Sequence, residues 1–202
     1  MSRQRHSYRV ARIVVASAIF GIPAACDNKE ADRPADPTVA VFEDFARRLD
    51  AYVKIRTPLA DSVGELDTTK SQEEIAARAT RLASAIIAAR PQARQGDIFT
   101  PEVATVIATL ISQEYGRRSE PVQETRDDQQ EELPDFVPSV NQLYPTTYPL
   151  ATFPPTLLPL LPALPDQLEY RIVQHYLILR DVEANLIVDF MPDAVPTGGK
   201  QP

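Results

Sequence analysis

Leu168-Glu169-Tyr170-Arg171-Ile172-Val173-Gln174-His175-Tyr176-Leu177-Ile178-Leu179-Arg180-Asp181-Val182-Glu183-Ala184-Asn185-Leu186-Ile187-Val188-Asp189-Phe190 is the stretch that decides the fold. Leu168, Tyr170 and Ile172 alternate with Glu169 and Arg171, and Leu177 and Leu179 alternate with Ile178 and Arg180. Leu186, Val188 and Phe190 then alternate with Ile187 and Asp189. A period of two in β-branched and aromatic residues, broken by short polar turns, predicts an antiparallel meander over 166–192. Such a small sheet must bury one face, so a helical layer is expected to cover it, giving an α+β domain.

That layer is legible upstream, over 37–116. Asp36-Pro37 supplies an N-cap and a proline at the first helical position. Phe42, Phe45, Leu49, Tyr52 and Val53 follow at three- and four-residue steps, the apolar stripe of a first helix that Pro58 should end or kink near Arg56. Ser71 and Glu74 stand at capping-box spacing before a second helix with Ile75, Ala79, Leu82 and Ile86 on its buried stripe. Pro91 should shorten or kink it, with Gly96 as the expected stop. Thr100-Pro101-Glu102 starts a third helix, whose stripe is Val103, Val106, Ile107, Leu110 and Ile111 and whose end is Gly116.

Two charged residues fall inside these apolar stripes. Arg56 and Glu114 lie near the C-terminal ends of the first and third helices, and their opposite signs predict an ion pair between them. The string Gly96-Asp97-Ile98-Phe99-Thr100-Pro101-Glu102 allows two readings. It is either a recognition loop offering Asp97 and Phe99 to a partner, or a helix–helix corner whose Ile98 and Phe99 plug the core. Residue types alone favour the corner.

Between helices and meander the composition shifts. Residues 117–135 are polar and acidic, with Asp127, Asp128, Glu131 and Glu132 close together. They lack the alternating ligands, turn glycine and closing glutamate of an EF-hand loop, so a solvated linker is expected. Residues 136–165 are rich in proline, tyrosine and leucine. Proline offers no donor to a ladder, so this is read as an extended segment wrapping the core, with a helical turn at about 156–161. Residues 193–202 read as a disordered tail, and no internal repeat is visible.

The front end carries an address. Arg3, Arg5, Arg9 and Arg12 precede an uncharged, mostly apolar run from Ile13 to Ala25, and Cys26 follows. This is the layout of a secretory signal over 1–25. The run is too short for the roughly 20 residues of a membrane-crossing helix. Ala24, Ala25 and Cys26 resemble the end of bacterial lipoprotein signals, with Pro23 where that family favours an aliphatic residue. The resemblance implies that Cys26 receives lipid, becomes the mature N-terminus and tethers the body to a membrane through residues 26–36. Ordinary signal cleavage releasing a soluble exported protein, or an uncleaved anchor, are the alternatives. Cys26 is the only cysteine, so the body holds no internal disulfide.

Charge excludes some partners. Four of the 21 basic residues precede Cys26, leaving 17 against 28 acidic residues, a net of −11 for the mature part. Such a surface repels phosphate backbones, so no nucleic-acid partner is expected. It also presents no polybasic grip on anionic lipid, so any membrane attachment rests on acyl chains.

The body also resembles an uncharacterised family of exported bacterial proteins. The strings that carry the likeness are Gly96 to Glu102, Pro149-Leu150-Ala151-Thr152, and the span from Leu168-Glu169-Tyr170-Arg171 to Asn185-Leu186-Ile187-Val188-Asp189-Phe190. The resemblance implies an exported location and carries over no functional residue.

Little in the body commits it to chemistry. His175 is the only histidine after the signal and stands in a turn, with no G-x-S-x-G elbow elsewhere. One histidine and no body cysteine argue against zinc, and no glycine-rich loop is present to cradle phosphate. No cofactor is expected. Paired carboxylates remain a route to hydrolysis, with Asp181, Glu183 and Asp189 as the candidates. The expected function is therefore a non-enzymatic, lipid-anchored envelope protein that binds or scaffolds another exported protein. A small carboxylate-dependent envelope hydrolase is the alternative.

Overall fold

The computed structural model describes residues 36–64, 71–117, 136–145 and 153–195. The signal, Cys26, all of the tether but Asp36, most of the acidic linker with its carboxylate cluster, and the Pro149–Thr152 string lie outside the described residues. Three helices precede a three-stranded antiparallel sheet whose strands neighbour one another in chain order, an α+β fold.

Helix α1 spans Pro37–Ser62, α2 spans Gln72–Ala89 and α3 spans Pro101–Gly116. Each starts where its cap chemistry requires. Asp36 Oδ1 accepts from Thr38 N at 2.9 Å, and Thr100 Oγ1 accepts from Val103 N at 3.4 Å. Ser71 and Glu74 complete a reciprocal capping box, each side chain accepting from the other's amide. Helix α1 packs against both α2 and α3.

Two helix ends differ from expectation. Helix α1 runs through Pro58 to Ser62. Pro58 forgoes one amide bond to the preceding turn, but Ala60 is buried and Leu59 packs on the core, which holds the last turn in place. Helix α2 stops at Ala89 because the residue before Pro91 disfavours helical backbone. Gly96 then serves the following loop, at φ +88°, rather than ending the helix. On the stripes, Phe45, Leu49, Tyr52, Leu82, Ile86, Val103, Ile107 and Ile111 are buried as expected. Ile75, in the first turn of α2, is exposed instead.

Strands β1 (Leu168–Val173), β2 (Tyr176–Asp181) and β3 (Leu186–Met191) form the meander. Leu168, Tyr170, Ile172, Leu177 and Leu179 face the helices and join the main core. A short 3-10 turn, Leu158–Leu160, stands within the expected helical turn, and Leu157 and Leu161 beside it are buried.

Strand β3 breaks the simple alternation. Leu179 pairs with Asp189 and Arg180 with Ile187, leaving Val188 as an extra residue on β3. This bulge lets two successive side chains serve the helical side. Val188 enters the main core and Asp189 reaches the α2–α3 loop. Phe190, expected on the core face, instead packs with Ile187 on the outer one.

The outer face of the sheet is also covered. Phe136 and Tyr144, at the start of the proline-rich segment, form a second apolar cluster with Val173, Ile178 and Ile187. Asn141 N donates to Ile187 O, Ile187 N to Gln142 O and Tyr144 N to Asn185 O, so this segment shields the first half of the β3 edge. Past β3, Ala194 and Val195 are buried and their amides turn to His175 O, so the ordered chain runs beyond 192, where the tail was expected to begin.

Candidate functional site

Among the described residues, fully buried carboxylates stand at two places where the sheet meets the helical layer. The first is built on Asp181, the last residue of β2. Its side chain is 0% exposed. Oδ2 accepts from Tyr52 Oη at 2.8 Å and from Arg56 Nε at 3.0 Å, and Oδ1 accepts from Ala184 N at 2.9 Å. Arg56 Nη2 also pairs with Glu183. Arg78 Nη1 lies 3.6 Å from the same Glu183 carboxylate, while its Nε donates to Gly64 O at 2.6 Å. A chain of charges thus runs from the buried Tyr52–Asp181 contact out to Glu183, whose side chain is 47% exposed.

The expected Arg56–Glu114 pair is therefore replaced. Arg56 turns to the β2–β3 turn, and Glu114 Oε2 lies 4.0 Å from Arg117, the residue that caps its own helix. The reason is geometric. The sheet packs on the Tyr52–Arg56 face of α1, and Asp181 there needs a cation more than a helix-end carboxylate does. Burial works against the charge on Arg56, but Asp181 and Glu183 win and raise its pKa. Burial, then the neighbouring Asp181, pushes the Tyr52 phenol far above its ordinary value, so it acts as a fixed donor.

The second centre is Asp189, 0% exposed on the bulged strand. Its Oδ1 accepts from Gly96 N at 2.9 Å and Phe190 N at 2.8 Å. Its Oδ2 accepts from Ile98 N at 2.7 Å and Phe99 N at 2.8 Å. Burial raises the Asp189 pKa while these four amide bonds pull it back. The carboxylate holds the Gly96–Phe99 corner against the sheet. Ile98 and Phe99 are buried there, and Phe99 stacks on Phe45 at 5.7 Å between centroids. The corner reading of this string holds, and Phe99 is not offered outward. Asp97 accepts from Arg94 N at 2.8 Å, and its carbonyl accepts from Arg48 Nη1 at 2.8 Å.

Arg90 sits at this interior too. Its guanidinium carbon lies 5.0 Å from the centre of the Tyr52 ring. Burial lowers its pKa, countered by Tyr52, Asp189 and Asp97. Sequence reading missed Arg90, Tyr52 and Arg78 as polar partners because each looks like an ordinary helix residue until the sheet is docked.

Of the three candidate carboxylates, Asp181 and Asp189 belong to separate centres and have their oxygens occupied by protein donors. Glu183 alone reaches solvent, and it is held by two arginines. His175 is half-buried at the β1–β2 turn, with Nε2 3.9 Å from Asp193 Oδ1. Among the described residues no group of three or more histidine, cysteine or carboxylate side chains converges as a metal site. A groove of about 310 Å³ runs between the Leu158–Leu164 segment and β1, with Tyr170 and Arg171 on its strand side. None of the three carboxylates lines it. Compared with known proteins, the chain matches no family model, no curated protein and no solved structure.

Proposed function

We propose that this is an exported protein, lipid-anchored through Cys26, that binds or scaffolds another exported protein without catalysing a reaction. The observation that carries the non-enzymatic reading is the state of its carboxylates. Asp181 and Asp189 are fully buried and spend their acceptor capacity on Tyr52, Arg56 and backbone amides, so neither is poised to exchange a proton with a substrate. General acid–base work needs a group that reaches the reacting atom, and these two reach only the fold. The anchored reading is supported by the basic lead, the short apolar run and Ala24-Ala25-Cys26.

Membrane fractionation of cells producing the full chain tests the proposal. The wild type should sediment with membranes, and Cys26→Ser should release it or leave it unprocessed. Equal distribution of the two forms with the same processed mass contradicts the anchor. Affinity capture of the anchored protein should recover a stoichiometric exported partner. Turnover of envelope substrates by the purified chain, abolished by Glu183→Gln, contradicts the non-enzymatic reading.

A further inference from the structure

Strand β1 is an edge of the sheet, and its outward backbone can be read from the ladder. Val182 N donates to Gln167 O at 3.0 Å, and Val173 pairs with Tyr176 across the two-residue turn. Antiparallel alternation then places Glu169, Arg171 and Val173 in the bonded pairs with β2, and turns the amides and carbonyls of Leu168, Tyr170 and Ile172 outward. Leu168 N follows this rule by donating to Pro165 O. Among the described residues nothing pairs with the outward groups of Tyr170 and Ile172. The first half of the opposite edge, β3, is shielded by the 141–144 segment, whereas β1 is bordered by the groove.

The sequence of β1 is complementary to itself when reversed. Only outward residues can exchange bonds with a new strand, so a second β1 must align even-numbered positions with even-numbered ones. With Tyr170 opposite its own copy, Leu168 faces Ile172, and Glu169 faces Arg171 in both directions. Shifting the centre by one residue to Arg171 sets two arginines against each other, which costs rather than contributes.

The geometry points to β1 as a two-fold pairing edge whose partner is a second copy of this chain, docked antiparallel about Tyr170. Such a contact is isologous and closes at the dimer. It joins the two three-stranded sheets into one continuous sheet. The Tyr170 pair exchanges two amide bonds, and each Ile172 N–H donates to the Leu168 carbonyl of the other copy. Glu169, already held by Arg171 and Arg180 in its own chain, gains the second copy's Arg171 across the two-fold. The strand also covers the groove and Leu158, which is 56% exposed. This inference stands on the sheet edge and does not depend on the anchor.

The test uses the full chain carrying Cys26→Ser, so that no other thiol competes. Sedimentation equilibrium should give twice the chain mass, and Arg171→Glu should weaken the dimer about tenfold or more by setting acids opposite acids. Glu169→Cys and Arg171→Cys chains are then mixed under oxidising conditions. Opposed residues in the proposed register lie within disulfide reach, so the mixture should cross-link efficiently and each variant alone should not. A monomer overturns the proposal. So does a dimer that tolerates Arg171→Glu, or one in which the mixed cross-link fails to form.

Discussion

Arg56 on α1 and Asp181 at the end of β2, 125 residues apart in the chain, meet through a 3.0 Å bond in the buried interior. The contact fastens the helical layer to the sheet at a point where both partners have lost water. Coulomb attraction in such a place roughly repays desolvation, while losing one partner strands the other. Tyr52 shares the same carboxylate oxygen, so the three side chains act as one unit.

Replacing Arg56 by Met while keeping Asp181 should therefore cost about 3–5 kcal/mol of unfolding free energy. Asp181→Leu alone should cost a similar amount. Arg56→Met combined with Asp181→Leu should recover much of the loss, because no buried charge then lacks a partner. Urea denaturation of the four chains forms a double-mutant cycle, and simple additivity would contradict the unit.

At Asp189, substitution by Ala leaves four backbone amides without their acceptor. Unsatisfied buried donors cost about 1–3 kcal/mol each, so a loss on the order of 4 kcal/mol is expected even after partial hydration. Hydrogen exchange gives the local readout. The amides of Ile98 and Phe99 should lose protection first, before α1 does.

Gly96 tests the same corner more gently. Its φ of +88° is unfavourable for any residue with a Cβ, yet an added Cβ would meet only Phe99 O at 3.6 Å, an ordinary contact. The cost of Gly96→Ala is thus conformational, about 1–2 kcal/mol, with Asn tolerated better than Ala. A thermal melt distinguishes them.

Acid should weaken the β1–β2 face through Glu169. Burial pushes its carboxyl up, but hydrogen bonds and charge from Arg171 and Arg180 prevail and hold its pKa below the ordinary glutamate value. A lowered folded-state pKa means the contribution to stability is complete above the unfolded value of about 4.3 and is lost as pH falls through the folded one. Glu169→Gln should flatten the acid limb of a stability-against-pH curve in that window. An unchanged limb would contradict the assignment.

These contacts explain what the sequence disclosed and what it withheld. Ser71 with Glu74, and Thr100 with Pro101, announce helix starts because capping is local chemistry within one turn. The alternation at Leu168–Ile172 announces a strand for the same reason. Arg56 reads as an intruder in an apolar stripe, which flags a buried partner correctly. Which partner it takes depends on how the sheet docks 125 residues later, and no spacing rule encodes that. The alternation sets Asp189 on the outer face, because a bulge at Val188 costs one residue of register and leaves no mark in the sequence. Pro58 reads as a helix end in the sequence, yet the packing of Leu59 and Ala60 outweighs one missing amide bond.

The claim on which the account of location and role rests is that Cys26 is the acylated first residue of the mature chain. Intact-mass and peptide mass spectrometry of protein purified from membranes tests it directly. The predicted result is an N-terminal peptide beginning at Cys26 and carrying lipid mass. Recovery of an intact Met1, or of an unmodified Cys26, would contradict it.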